Sequence, residues 1–250
     1  MNRLLILLKS IQIIKNWYIL PLVYFKIFRK KYYILKLKNG KKIKLRNNST
    51  DIHTFTNIWI IEEYLQIENE KNRIIIDIGA HIGLFSIYAL KFNPKEIIAF
   101  EPIKENYDLL KENILLNKIE NIKCHNIAIS DKISDVEIYV NEDFAAHSLI
   151  KKEGQPRKVK SISLKNIFDE NKISECDILK LDCEGSEYLI FEALPDNYYN
   201  KIKKIIMEYH IFDSDYKHLE KLKNNLEKMN FILKINPTNK NMGMLYARTK

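Results

Sequence analysis

At 250 residues the chain is long enough for one well-cored domain plus an appendage, and its 46% hydrophobic content excludes a disordered or fibrous protein. Its formal charge of +9 is unevenly spread. Residues 1–46 hold 13 of the 41 Lys/Arg and none of the 32 Asp/Glu, so the remainder is slightly acidic, which argues against a nucleic-acid groove in the main domain. The three cysteines, Cys124, Cys176 and Cys183, form no CxxC pair and offer too few ligands for a structural zinc site, so they read as reduced core thiols of a cytosolic protein.

Residues 4–28 are rich in Leu, Ile, Trp, Tyr and Phe but are interrupted by Lys9, Lys15 and Lys26, with Pro21 breaking the helical pattern. No uncharged run approaches the ~18–20 residues that span a bilayer, and no small-residue cleavage site marks a signal peptide. An amphipathic helix fits. The favoured reading docks its apolar side on the domain and the alternative lays it on an anionic membrane face, so the expected location is cytoplasmic, peripheral at the inner membrane face only under the second reading. Residues 31–46 alternate (Tyr33, Leu35, Leu37, then Asn39-Gly40, then Ile43, Leu45), which predicts a hairpin. Asp51–Tyr64 has helical spacing (Phe55, Ile58, Trp59). Residues 1–70 are therefore expected to form a small basic module ahead of a main domain at 71–250.

From Arg73 the chain alternates strand and helix, which predicts a doubly wound α/β sheet. Ile74–Ile76 leads into Asp77, then Gly79 allows a tight turn, and a helical pattern begins at Gly83 with Leu84, Ile87 and Tyr88. Further strands are expected at Glu96–Phe100, Asn121–Ile129, Cys176–Leu181 and Lys203–Met207, with a closing pair at Phe231–Ile235 and Met244–Arg248. Helices are expected over roughly 103–117, with Tyr107, Leu110, Ile114 and Leu115 as the apolar stripe, and over Tyr216–Met229. Residues 131–175 read as an insertion that shapes an acceptor site, with strands at Val136–Val140 and Val159–Ser163 and a loop around His147-Ser148.

Ligands of open α/β sheets bind beyond the carboxyl ends of the strands. Here those ends carry Asp77 and the glycine turn, Glu101, Asn126 and Ala128, Asp182 and Glu184, and Glu208 and His210. Gly79 permits close backbone approach, and Gly83 lets the following helix sit tight. The turn is GxxxG, neither a dinucleotide GxGxxG nor a triphosphate GxxxxGK[ST], which points to a nucleoside ligand without pyrophosphate. Glu101, 24 residues after Asp77, stands where a carboxylate accepts both ribose hydroxyls.

Taken together, IDIGAHIG, AFEP, NIAISD, DILKLDCEGSEY and MEYH resemble the FkbM family of class I S-adenosylmethionine-dependent methyltransferases, over roughly residues 70–212. The resemblance implies a Rossmann-like sheet of about seven strands with the last antiparallel, an S-adenosylmethionine pocket, and O-methylation of a sugar or other secondary hydroxyl. It also implies that Asp77, Gly79, Ala80, His81 and Gly83 hold the methionine end of the cofactor, that Glu101 holds the ribose, and that Asn126 and Ala128 border the adenine. His81 departs from the family's more frequent asparagine.

A hydroxyl needs a base within about 2.6–3.2 Å, for which His147, Asp182, His210 and Glu208 are candidates. His147 lies on a polar loop, where an ordinary surface histidine is an equal reading. Asp182, Glu184, Glu208 and His210 together could instead hold a divalent metal. The leading expectation is an O-methyltransferase with a sugar or glycan acceptor, such as a lipid-linked saccharide, and no nucleic-acid partner. An RNA or other small-molecule methyltransferase is the alternative within enzymes. Against base methylation, the place of an (Asp/Asn)-Pro-Pro-(Tyr/Phe) loop holds DCEG. A non-catalytic S-adenosylmethionine-binding or assembly protein is the alternative of another class.

Overall fold

The computed structural model describes residues 3–62, 64, 73–140, 147–148, 155–212 and 216–250. Its main sheet has seven strands, numbered here β1 (Ile74–Ile78), β2 (Glu96–Phe100), β3 (Ile122–His125), β4 (Cys176–Leu181), β5 (Ile202–His210), β6 (Phe231–Pro237) and β7 (Met242–Thr249). Their spatial order is β6-β7-β5-β4-β1-β2-β3. β5, β4, β1, β2 and β3 are parallel, and β7 runs antiparallel between β5 and β6. The expected seven-stranded doubly wound sheet, with its last strand antiparallel, is present.

Side chains on a strand alternate between the two faces, and both faces of the central strands are buried. Ile75, Ile97 and Ile178 enter one core with Phe85, Leu109 and Leu110, while Ile76, Ile98 and Leu179 enter the other with Phe168, Phe191 and Leu222. That is why β1 is a run of isoleucines rather than an alternating strand.

The leader shares the first of these cores. Tyr33, Leu35, Ile43 and Leu45 of the hairpin and Phe55, Ile58 and Trp59 of the next helix pack with Ile75 and Phe85. The hairpin pairs Tyr32–Lys36 with Lys42–Arg46. Its loop is wider than a two-residue Asn-Gly turn. Gly40 N–H donates to Leu37 O, Leu37 N–H donates to Lys41 O, and Gly40 holds φ +88, the pattern of a three-residue loop closed by a left-handed glycine.

A two-stranded hairpin has two open edges, whose free N–H and C=O groups need partners. Three asparagines supply them. Asn16 accepts from Lys36 N–H and donates to Ile34 O on one edge. On the other, Asn113 does the same for Lys44, and Asn117 for Lys42.

Several boundaries differ from expectation. Pro21 does not break a helix: the interruption lies at Ile14–Tyr18, and Pro21 sits in the first turn of the short helix Ile19–Tyr24, where its missing N–H costs nothing. Asp51–Phe55 continues as a π-helix over Thr56–Ile61. In helix Lys104–Leu116 the inner face carries Asn106, Leu109, Leu110 and Asn113, while Leu115 is 77% exposed. Apolar periodicity missed the two buried asparagines because their partners come from the distant hairpin. The predicted third strand divides. After His125 the chain leaves the main sheet and Ala128–Ser130 joins a second one, ordered Ala128–Ser130, Gln155–Ser163, Ser134–Val140, His147–Ser148. Helix Leu164–Glu170 went unforeseen, although Ser163 and Asn166 form a capping box at its start.

Candidate active site

A cleft of about 290 Å³ opens at the carboxyl ends of the parallel strands. Gly79, His81, Glu101, Asp182, Cys183, Glu184 and Glu208 line it from the main sheet, as the strand-end argument requires. Phe100, Ile103, Ile127, Ala128, Ile129 and Ile138 add an apolar part. Thr50, His53, Thr54, Asn57, Ile58 and Tyr64 of the leader add a further part, residues that no sequence motif singled out.

The glycine turn is held by backbone bonds. Gly79 and Ala80 N–H both donate to Phe100 O at 3.0 and 2.9 Å, tying the β1 turn to the end of β2. Gly79 has φ +73, and a Cβ there would overlap the Asp182 carbonyl oxygen. The close approach that demands glycine is thus made to the loop after β4. Gly83, at φ +86, starts the helix Leu84–Ala89, and a Cβ there would strike Leu110. Ala80 and Gly83 are not among the lining residues.

Asp77 also stands behind the lining. It is fully buried, its Oδ2 accepts from Ser86 Oγ at 2.6 Å, and its Oδ1 pairs with Lys180 Nζ at 3.1 Å. Lys180 donates to Gly79 O at 2.7 Å and lies 4.0 Å from Asp182. Burial alone would lower the Lys180 pKa, but Asp77 and Asp182 outweigh it and hold it above its ordinary value. A charged lysine therefore ties the β1 turn to the end of β4. Its sequence signal was a lone cation inside the apolar strand CDILKL.

Glu101 is buried but reaches the cleft. Its Oε2 accepts from His81 N–H at 2.8 Å, and its Oε1 accepts from Ile103 N–H at 2.9 Å and from Asn106 Nδ2 at 3.3 Å. Burial lifts its pKa to about 7, against the lowering effect of those N–H donors. Asn126 is exposed, and its amide donates to the carbonyls of Glu101 and Pro102. It fixes the loop from outside the lining, while Ala128 is part of the lining itself.

Behind Glu101 stands Arg46, the last residue of the leader hairpin. It bonds both oxygens of the buried Asp51 (2.7 and 3.0 Å), Asn106 Oδ1 (2.7 Å) and His81 Nε2 (2.8 Å). Arginine is always the donor, so His81 Nε2 accepts and the ring proton sits on Nδ1. His81 has φ +51, a left-handed conformation that asparagine adopts more readily, which fits its place in the family pattern.

The remaining polar residues form a second group. His210, at the end of β5, is buried and faces Glu184 (3.3 Å from Nε2) and Glu187 (3.4 Å from Nδ1). Burial alone would lower its pKa, but these carboxylates, with Asp182 beyond them, raise it to about 9. Glu187 in turn accepts from Cys183 N–H. His210 is not among the lining residues, whereas Asp182, Glu184 and Glu208 are. The four residues considered for a divalent cation do not converge: among the described residues no three His, Cys, Asp or Glu side chains are grouped to hold a metal ion. The backbone of His147 pairs opposite Val140 in the second sheet, and its side chain lies outside the described residues.

Known proteins resemble this chain in sequence and fold. A family model described as Methyltransferase FkbM domain matches residues 77–233. The chain is 21% identical over 214 residues to 31-O-demethyl-FK506 methyltransferase FkbM of Streptomyces tacrolimicus, an alignment covering 72% of this chain and 82% of that protein. It is 23% identical over 171 residues to Methyltransferase sdnD of Sordaria araneosa, covering 55% of this chain and 66% of that one. The solved structure of methyltransferase FkbM from Methylobacillus flagellatus KT matches with a TM-score of 0.52 at 14% identity, which shows a common fold. That match covers 72% of this chain but 45% of the other, so the chain spans less than half of the solved protein and just under two thirds of the Sordaria one.

Proposed function

We propose, from the premise that this chain belongs to the FkbM family of methyltransferases, that it is an S-adenosylmethionine-dependent O-methyltransferase acting on a hydroxyl of a sugar or glycan. One observation carries the reading. A single cleft joins an apolar part (Phe100, Ile103, Ile127–Ile129), a buried carboxylate (Glu101), three further lining carboxylates, and a leader wall of hydroxyl, amide and imidazole side chains. The apolar part suits a purine and Glu101 has a lone-pair site left for a ribose hydroxyl. Asp182, Glu184 and Glu208 suit a cationic ligand, and Thr50, His53, Thr54 and Asn57 suit a polyhydroxylated acceptor. The name of the Streptomyces relative likewise specifies an O-demethyl acceptor.

When bound, S-adenosylmethionine supplies an electrophilic methyl group on a sulfonium. The chain supplies placement and a proton acceptor. Glu101 uses three lone-pair sites on N–H donors, which fixes its plane and leaves capacity for a ligand hydroxyl. Gly79 and His81 bring backbone to the same ligand. The acceptor's proton passes to a lining carboxylate, Asp182 or Glu208. His210 is unsuited to that step: with its pKa raised to about 9, both ring nitrogens carry protons at neutral pH and no lone pair is free.

The test combines calorimetry with product analysis. S-adenosylmethionine should bind the wild type and bind Glu101→Ala far more weakly; no binding, or equal binding by both, sinks the enzyme reading. Labelled S-adenosylmethionine with a glycolipid extract should place the label on a glycan hydroxyl by mass spectrometry, and label found only in RNA overturns the acceptor class. Asp182→Asn or Glu208→Gln should lower kcat by about 10²–10⁴, the usual worth of a positioned proton acceptor, beyond any loss of affinity for the cationic cofactor.

A further inference from the structure

The leader has a second surface that the cleft does not use. Its inner side is firmly attached. Ile14 bridges to Leu37 and is fully buried, Lys15 N–H donates to Lys36 O, Lys38 N–H donates to Ile13 O, and Lys9 Nζ reaches Ile60 O. Asn16 caps the hairpin edge, and Asn47 donates to Phe28 O. The outer side does the opposite of what a docked helix should do. Leu5, Leu7, Leu8, Trp17, Tyr18, Leu22, Tyr24, Phe25 and Ile27 are all exposed large hydrophobics, with Tyr24 at 75% and Phe25 at 67%. Nine of the 15 exposed large hydrophobics named among the described residues thus fall within a stretch of 23 residues. Helical spacing sets Leu5 beside Leu8, and Leu22 beside Phe25. Exposed apolar side chains concentrated in one short stretch in this way mark a binding face.

We infer that this face seats the protein on the surface of an anionic lipid bilayer. Charge decides between occupants. Lys15, Lys26, Arg29, Lys30 and Lys31 are exposed around the apolar residues, and residues 1–46 contain no acid at all. A second copy of the same face would bring cations against cations, which costs energy at any contact. An anionic headgroup layer meets them with opposite charge, and attracts each basic residue near its surface. The aromatic composition agrees, because Trp17, Tyr18 and Tyr24 carry an apolar body with a polar handle, suited to the headgroup level. Among the described residues no helix is long and apolar enough to cross a membrane, so the mode is lying on the bilayer. Because the inner side is bonded to the hairpin that carries Arg46, lipid contact fixes the protein's attitude on the membrane. The inference does not depend on which acceptor the cleft takes.

The experiment is co-sedimentation of the full chain with vesicles of phosphatidylcholine alone and of phosphatidylcholine mixed with phosphatidylglycerol, at low and high salt. The expected result is sedimentation with the anionic vesicles that weakens with salt, and little with the neutral ones. Tyr24→Ser/Phe25→Ser and Lys30→Glu/Lys31→Glu should each lower the partition coefficient by at least about tenfold. Both change only exposed side chains, so thermal melting and S-adenosylmethionine affinity should match wild type. No binding to either vesicle overturns the inference, as does binding that neither variant alters. Concentration-dependent dimerisation by ultracentrifugation, lost in Tyr24→Ser/Phe25→Ser without vesicle binding, overturns it in favour of a second copy.

Discussion

The two walls of the cleft are built by different means. The main-sheet wall is made at strand ends, where backbone does much of the shaping: Gly79 and Ala80 donate to Phe100 O, and His81 N–H donates to Glu101. The leader wall is made by side chains of a helix that begins at Asp51 and turns π-helical as it passes the cleft. What unites the walls is one buried guanidinium. Arg46 holds Asp51 at the root of the leader helix, His81 in the glycine turn, and Asn106, which itself holds Glu101. The comparison teaches that the leader is part of the site: a substitution in the hairpin should be felt where the cofactor binds.

The strongest way to break the main-sheet wall is Gly79→Ala. The residue needs positive φ, and the added methyl would overlap Asp182 O, so cofactor affinity should fall by at least about 100-fold, with a lower Tm. Affinity within a few-fold of wild type would show that the turn is not a close-packed joint.

Arg46→Met tests the bolt between the walls. It leaves Asp51 buried without its cation, so urea denaturation should show a loss of about 3–5 kcal/mol. Arg46→Lys should not restore it, because an ammonium cannot reproduce the fork to Asp51, Asn106 and His81. Cofactor affinity should fall with stability; an unchanged affinity in the folded variant would separate the two walls.

His210→Gln removes a cation from between Glu184 and Glu187. The His210 pKa is raised from 6.5 to about 9 in the folded protein, so its stabilisation is fully present below pH 6.5 and is lost as the pH rises through about 9. At about 1.4 kcal/mol per pH unit this is worth on the order of 3 kcal/mol, and the gap between wild type and variant should close across that window. A gap that stays constant with pH would deny the imidazolium.

Glu101 gives a smaller effect with the opposite pH sense for binding. Its pKa is raised from 4.5 to about 7, so its contribution to stability is full below pH 4.5 and is lost as the pH rises through about 7. Ligand hydroxyls donate to the ionised form, so cofactor affinity should increase as the pH rises through about 7, measured by calorimetry. Glu101→Gln should lower affinity by about 10–100-fold, the worth of a hydrogen bond to charge, and flatten that profile.

The least effect is expected at Gly40. It shares positive φ with Gly79, but a Cβ there meets nothing within 4 Å. Gly40→Ala should therefore cost only about 1–2 kcal/mol of backbone strain and leave cofactor binding intact. Together, Gly40 and Gly79 separate strain from collision.

The amino-acid sequence by itself determined the sheet, the order of its elements and the positions of the polar strand ends. These depend on local signals: isoleucine runs, a glycine turn, and acidic residues at or near the ends of four of the parallel strands. Legibility failed where a side chain answers to something far along the chain. Asp77 and Glu101 read alike as acids ending adjacent strands, yet Lys180, 103 positions from Asp77, draws one inside while the other stays on the cleft wall. His210 was one of four candidate bases, and only the approach of Glu184 and Glu187 raises its pKa. Asn113 carried no signal in the sequence and gains its role only where the hairpin edge lies against it. Which leader residues line the cleft was hidden for the same reason, since Thr50, His53, Thr54 and Asn57 carry no motif and gain their place from the fold of residues 32–46 onto the sheet. Periodicity and turn chemistry are set within a few residues, whereas ionisation, burial of a charge and the far wall of a cleft are set by what the tertiary structure brings alongside.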